Sequence, residues 1–234
     1  MQESQESSME ILTNIPVEFD IPTLLSRLHI AEGSADAASV NKLLDWARPI
    51  AKPKAIYDIY YLEDRSADTV TLAGVTFCSR VLSANLSQAH RAFPFIATCG
   101  KELEVQPNIT GDMMEFYWLD EIKETVLRAA FSHLKKHLVE TYRLSEISHM
   151  FTGSLEDWPL TQQKQLFSLF GDTEKKIGVT LTDSFLMTPT KSLSGIFFPT
   201  ETKYEDCQLC PREGCPGRRA AYNKDLWSKY RAEN

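Results

Sequence analysis

The spacing of hydrophobic and polar positions divides the first hundred residues into short helices and strands. Residues 20–28 have an N-cap aspartate, a proline in the first turn and helical apolar spacing, which predicts a short helix. A second apolar stripe predicts a helix over about 38–51. β-Branched and aromatic residues then predict strands over 55–62 and 69–77.

The strongest helical pattern lies in the middle of the chain. A helix is predicted over 79–93 and a strand over 95–98, and a long helix is predicted over about 112–141. Apolar residues of the long helix recur at steps of three and four: Leu119, Ile122, Val126, Ala130, Leu134 and Leu138. Its length predicts a helix that organises the fold.

The remaining pattern predicts a helix over 160–170, terminated by Gly171, and strands over 179–182 and 194–198. The connections are too short and irregular for a repeated parallel crossover unit. The chain is therefore predicted to form an α+β fold with a mainly antiparallel sheet.

Composition limits the function classes. The chain has 234 residues, a net charge of −7 and no apolar run that approaches a membrane span, and its polar start lacks the pattern of a signal peptide. Residues 1–9 are predicted to be disordered. Residues 211–234 carry six Lys or Arg against three acids, so the rest is strongly acidic and nucleic-acid binding is disfavoured. The chain has five cysteines, and this odd number favours a reducing, cytoplasmic location.

Three of the five cysteines, Cys207, Cys210 and Cys215, lie within nine residues and are surrounded by turn-forming Pro and Gly. Thiolates at this spacing suit an iron–sulfur cluster or zinc. A fourth ligand is missing, and the alternatives are Cys78 or Cys99, a histidine or carboxylate, or a partner. The other interpretations are a reduced tail without metal, or one disulfide with a spare thiol. Cys99 is the first candidate for the fourth ligand, although it fits a buried apolar filler at least as well.

One stretch is more specific than the rest. Residues 181–184 are Leu-Thr-Asp-Ser, residues 187–189 are Met-Thr-Pro and residues 192–195 are Ser-Leu-Ser-Gly, followed by aromatic residues. This order resembles the C-terminal activation domain of cobalamin-dependent methionine synthase. Residues 97–104, 111–120 and 153–163 resemble the same family, so that the resemblance extends over about residues 10–205.

The resemblance implies a C-shaped single domain with a twisted antiparallel sheet that binds S-adenosylmethionine and faces a corrinoid during reductive remethylation. It implies binding residues at His149, Gly153, Ser154, Met187, Pro189, Ser194, Gly195 and Tyr204. It also implies a partner, either a corrinoid protein or a cobalamin-dependent methyltransferase that carries the cobalamin. A flavodoxin- or ferredoxin-type protein would donate the electron.

Two departures from the family pattern leave the function open between two classes. His149 and Ser154 stand where the family has Arg and Tyr, and a neutral imidazole cannot form the bidentate pair that Arg forms with a carboxylate. This difference favours a binding module that has lost S-adenosylmethionine. Residues 206–234 add a cysteine-rich tail ending in a basic helix, and an iron–sulfur cluster there would favour electron delivery, hence a reactivating subunit. A zinc-stabilised structural protein without a corrinoid link is a third interpretation.

Overall fold

Helices and antiparallel strands make up the part of the chain that the computed structural model describes, residues 9–105, 113–215 and 217–232. The strands are β1 (Glu10–Leu12), β2 (Lys54–Tyr57), β3 (Tyr60–Tyr61), β4 (Asp64–Arg65), β5 (Thr69–Leu72), β6 (Val75–Cys78), β7 (Arg91–Thr98), β8 (Ile147–Phe151), β9 (Thr180–Leu181), β10 (Met187–Thr188) and β11 (Ser192–Pro199). The helices are α1 (Ile21–Arg27), α2 (Ala35–Ile50), α3 (Arg80–Asn85), α4 (Met113–Tyr142), α5 (Gln163–Ser168), α6 (Thr173–Ile177) and α7 (Lys224–Ala232).

The main sheet has the strand order β1-β2-β7-β11-β8, with β3 also paired to β7. All strand pairings in the described ranges are antiparallel. The predicted α+β class and mainly antiparallel sheet are therefore confirmed. The C shape that the resemblance implies stays a prediction.

The main sheet separates two hydrophobic cores. Because side chains alternate along a strand, Phe93, Phe95 and Ala97 of β7 pack against α1, α2 and α4 on one face. Ala92 and Ile96 of the same strand pack on the other face. There the second core also includes the β4-β5-β6 sheet, α3, α5 and α6. Residues on β8 and β11 are likewise divided between the two faces.

Local caps and turns correct several predicted boundaries. α2 begins at Ala35, three residues before the predicted start, because the Ser34 hydroxyl caps it by accepting from the Ala37 amide at 3.1 Å. The predicted strand over 69–77 is a hairpin, since Ala73 and Gly74 both have positive φ and reverse the chain between β5 and β6. The predicted strand over 55–62 is interrupted between β2 and β3.

The prediction of one helix over 79–93 is wrong. α3 ends at Asn85, and residues 91–98 form β7, which also begins earlier than the predicted strand at 95. These residues form a strand because β7 exchanges hydrogen bonds with β2 on one side and β11 on the other along most of its length. The predicted helix over 160–170 is a 3₁₀ turn followed by α5, and α6 was not predicted.

The long helix is confirmed from Met113 to Tyr142, whereas its predicted start at residue 112 lies outside the described residues. Residues 1–8 lie outside them too, and Met9 packs against the second core. The C-terminal segment packs on the same core through Leu209, Trp227 and Tyr230. Within the described ranges, no helix combines the length and apolar character needed to cross a membrane.

Candidate functional site

Several predicted binding residues lie around the end of β8. His149 is on β8 opposite Phe197, and Phe151 at the strand end is opposite Gly195. The Thr152 amide then donates to the Ser194 carbonyl at 3.2 Å, which continues the pairing into the turn that contains Gly153 and Ser154. β11 therefore brings together residues that are about forty positions apart in sequence.

His149 is buried among aromatic rings rather than open to a ligand. It is 4% exposed, and its ring centroid lies 4.6 to 5.5 Å from those of Phe131, Phe151 and Phe197. Neither ring nitrogen has a hydrogen-bond partner in the described structure. Burial lowers the pKa of His149 to about 4, because the charged imidazolium would lose its hydration there. The neutral form is therefore the stable one at pH 7.

A buried carboxylate, which the sequence reasoning missed, lies at the end of β8. Asp206 is 3% exposed, and one of its oxygens accepts from the Phe151 amide at 3.1 Å and from the Ser154 hydroxyl. Burial raises the pKa of Asp206, while the bonds from Ser154 and Phe151 oppose that rise. The predicted ligand residue Ser154 thus holds the start of the C-terminal segment against β8. No local pattern marks Asp206, since it looks like one more polar residue beside Cys207.

Tyr204 lies two residues before Asp206 and is buried near its carboxylate. Its backbone amide donates to the Ser148 hydroxyl at 2.9 Å, and its side chain is 5% exposed. Burial and the nearby Asp206 raise the pKa of the Tyr204 phenol. The phenol therefore stays protonated, and it packs against the second core.

A guanidinium from the C-terminal segment lies over the end of β8. Arg219 is placed 5.3 Å above the Phe151 ring, and its Nε donates to Glu205 at 2.8 Å. Its positive charge also opposes protonation of His149. Position 149 holds a histidine where the resemblance implies an arginine, but this chain brings an arginine to the neighbourhood from seventy residues later.

The predicted glycines have packing roles. A Cβ on Gly195 would lie 2.2 Å from the Met150 carbonyl oxygen, so the close approach of β8 and β11 requires glycine. Gly153 has φ of +82°, and a Cβ there would meet Leu160 at 2.9 Å. Ser194 is buried, and its hydroxyl has no partner in the described structure.

Met187 and Pro189 lie in a separate segment. Met187 pairs with Leu181 in the β9-β10 hairpin, and the Pro189 carbonyl accepts from the Ser192 hydroxyl at 2.8 Å. The described structure gives neither residue a hydrogen bond to His149, Ser154 or Tyr204. Their predicted role in binding stays a prediction.

The acidic turn after Ser154 is structural. The Asp157 carboxylate accepts from the Val81 amide at 3.0 Å and from the Ser79 hydroxyl, and it thereby caps the start of α3. Trp158 is fully buried and packs edge-on against Phe77. The Asp157 carboxylate therefore caps α3, which lies more than seventy residues earlier in the chain.

The cysteines do not form a metal site in the described residues. No three His, Cys, Asp or Glu side chains there lie close enough to hold a metal ion. Cys99 is buried in the core on the α4 face, whereas Cys210 packs against the core on the opposite face, so the sheet separates them. Burial raises the pKa of the Cys99 thiol to about 12, which suits the apolar filler and not a ligand.

An arginine organises the cysteine segment. Arg218 donates to the carbonyls of Cys207 at 3.1 Å, Cys210 at 3.2 Å and Ala220 at 3.3 Å, and also to that of Arg212. A guanidinium presents its donors in a planar fork, so it can bind several carbonyls at once. The backbone of the cysteine segment therefore surrounds the Arg218 guanidinium, and the three thiols do not point to a common centre.

A cavity of about 550 Å³ lies between the Ser154 turn and the cysteine segment. Its wall combines aromatic rings, one thiol and two opposite charges; the lining residues are Ser154, Leu155, Glu156, Leu209, Cys210, Pro211, Arg212, Tyr222 and Trp227. The Trp227 indole donates to the Leu209 carbonyl at 2.8 Å, which fixes α7 beside the cavity. The Arg212 guanidinium contacts no carboxylate among the described residues. A volume of this size is typical of small-molecule sites.

Comparisons with known proteins agree with the resemblance. The family model "Vitamin B12 dependent methionine synthase, activation domain" matches residues 155–215. The predicted resemblance is confirmed. The match to this activation domain includes Cys207, Cys210 and Cys215, so the family model continues past the predicted boundary at residue 205 into the cysteine segment.

Solved structures show the same fold. The chain matches a structure described as "Crystal Structure of the MetH Reactivation Domain bound to AdoHcy" at 16% sequence identity and a TM-score of 0.56. The alignment covers 84% of this chain and 80% of that chain. No curated protein is similar enough to this chain to count as a match.

Proposed function

We propose that this chain reactivates a corrinoid methyltransferase, methionine synthase or a related enzyme, by docking on the corrinoid protein and positioning an electron or methyl donor. The observation that carries the proposal is the activation-domain match over residues 155–215. This range includes Leu155 and Glu156 on one wall of the 550 Å³ cavity and residues 209–212 on the other. The partner would carry the cobalamin, since the cofactor performs the methyl and electron chemistry and the protein positions it.

The cavity suits a ligand of the S-adenosylmethionine class. Arg212 would pair with the ligand carboxylate, and Glu156 would face its positive charges. The rings of Tyr222 and Trp227 provide flat apolar walls for a purine. A related reactivation domain was crystallised with AdoHcy, which supports this ligand class. S-Adenosylmethionine would supply the methyl group at this site.

Isothermal titration with S-adenosylmethionine tests the ligand assignment. We expect Arg212→Gln to weaken binding about tenfold, because the variant loses a charge-assisted pair. Arg80→Gln is the matched control, since Arg80 is also exposed and lies outside the cavity. Equal affinities for the wild type and Arg212→Gln would show that the ligand binds elsewhere.

A second candidate function is a corrinoid-protein binding module that does not bind S-adenosylmethionine. Contacts within the chain favour it: the Ser154 hydroxyl is bound to Asp206, while His149 and Tyr204 are buried. This candidate predicts no heat with S-adenosylmethionine but retained binding to a cobalamin-loaded corrinoid domain, measured by biolayer interferometry. Failure of both measurements would contradict both candidates.

An iron–sulfur cluster on Cys207, Cys210 and Cys215, and a flavodoxin- or ferredoxin-type donor, stay predictions. The described thiols do not converge, so a cluster or zinc would require the segment to rearrange around Arg218. Anaerobically purified protein should be brown and contain stoichiometric iron if the cluster forms. Colourless protein containing only zinc would contradict the iron–sulfur prediction.

A further inference from the structure

A second pocket shares no lining residue with the cavity beside the cysteine segment. It has a volume of about 380 Å³ and lies between β4, α3 and α7. Arg65 and Arg80 contribute two guanidinium groups to its wall, and the hydroxyls of Ser83 and Ser87 and the amide of Gln88 contribute polar atoms. No acidic residue lines it, although the chain has more acids than bases.

Neither guanidinium is neutralised by a carboxylate in the described residues. Arg65 contacts only Ser83, at 3.4 Å from the hydroxyl and 3.5 Å from the carbonyl. The nearby acids are engaged in their own turns, with Asp64 accepting from the Arg65 amide and Asp68 from the Ser66 hydroxyl. Two cations facing a pocket without a counter-charge favour an anion there.

The C-terminal helix completes the pocket. The Tyr230 hydroxyl donates to the Asn85 side chain at 3.0 Å, which fixes α7 against α3 and places the Tyr230 ring in the wall. A third pocket of about 350 Å³ shares Ser87, Gln88 and Tyr230 with this one and continues past Glu201 to Lys203. The combined groove has room for a ligand larger than a lone oxyanion.

We propose that this groove binds a phosphate monoester carrying a planar base, with the phosphate between Arg65 and Arg80. Arginine forks match phosphate oxygens in bidentate pairs, and the Ser87 hydroxyl and the Gln88 amide supply further donors. The Tyr230 ring provides a stacking surface for the base. The assignment does not depend on the proposed reactivation function, because the groove is separate from the cavity beside Ser154.

Titrations of the full chain with AMP, adenosine and inorganic phosphate test the proposal. We expect AMP to bind, inorganic phosphate to compete with it, and adenosine to bind about tenfold more weakly because it lacks the charged group. Arg80→Gln and Arg65→Gln should each weaken AMP binding about tenfold. Arg128→Gln is the matched control and should leave AMP binding unchanged, since Arg128 is exposed and lines none of these pockets.

The outcomes that overturn the proposal are specific. Absence of AMP binding at millimolar concentration would refute it, and so would equal AMP affinities in the wild type, Arg65→Gln and Arg80→Gln. Far-ultraviolet circular dichroism confirms that each variant is folded, since both arginines are exposed. A result in which Arg212→Gln alone weakens AMP binding would place the nucleotide in the other cavity.

Discussion

The sheet formed by β7, β11 and β8 and the C-terminal segment from Glu205 to Ala232 are held in place in different ways. The sheet is held by continuous backbone pairing and by two cores that share each strand. The segment is attached through a few side chains, chiefly Asp206, Arg218 and Tyr230. Single substitutions should therefore act globally in the sheet and locally in the segment.

The largest difference is expected between two glycines. Gly195→Ala would place a Cβ 2.2 Å from the Met150 carbonyl oxygen, and we expect it to lower the free energy of unfolding by about 3 kcal/mol. Urea denaturation measures this change. Gly217→Ala in the segment is the control, because its Cβ would have only the Cys215 sulfur, 4.0 Å away, as a neighbour. Similar losses in both variants would contradict the comparison.

Acid should destabilise the sheet through His149. Its pKa is about 4 in the folded chain against an ordinary 6.5, so the unfolded state binds more protons between these values and stability falls as pH falls. From pH 7 to pH 5 we expect a loss of about 2 kcal/mol. His149→Phe should lack this component while packing among the same rings. Identical pH profiles for the wild type and the variant would exclude His149 as the cause.

The junction between the two regions should have an intermediate effect. Ser154→Ala removes the hydroxyl that donates to Asp206, and we expect it to cost about 1 kcal/mol of folding free energy. Ser168→Ala is the matched control, since both hydroxyls donate to a carbonyl three residues earlier but only Ser154 also reaches Asp206. Thermal denaturation of both variants measures the difference, and an equal cost would mean that the Asp206 bond contributes nothing.

The smallest effect on global stability is expected for Arg218→Gln. Loss of its bonds to the carbonyls of Cys207 and Cys210 should loosen the cysteine segment and raise thiol reactivity about fivefold. Reaction rates with Ellman's reagent under reducing-agent-free conditions measure this. Arg212→Gln keeps its backbone carbonyl and should react like the wild type. Unchanged rates in Arg218→Gln would mean that the arginine does not close the segment.

Regular periodicity was enough to predict the long helix, and the short, irregular connections were enough to predict the antiparallel class. The apolar steps from Leu119 to Leu138 are the buried stripe of α4, and the Met-Thr-Pro and Ser-Leu-Ser-Gly runs pointed to the family whose model matches residues 155–215. These features depend on neighbours within a few positions. Local reasoning was wrong over residues 79–93, where pairing of β7 on both sides outweighs helix-forming residues.

The candidate site depended on contacts that no local pattern contains. The sequence shows that Cys207, Cys210 and Cys215 are crowded, but it does not show that Arg218 binds their backbone or that the sheet separates Cys99 from them. It shows a histidine at position 149, but not that Arg219 lies over the nearby Phe151 ring. The helical and strand periodicity of the chain follows from short-range sterics and burial. The site follows from long-range packing, because its charges and donors come from segments fifty or more residues apart.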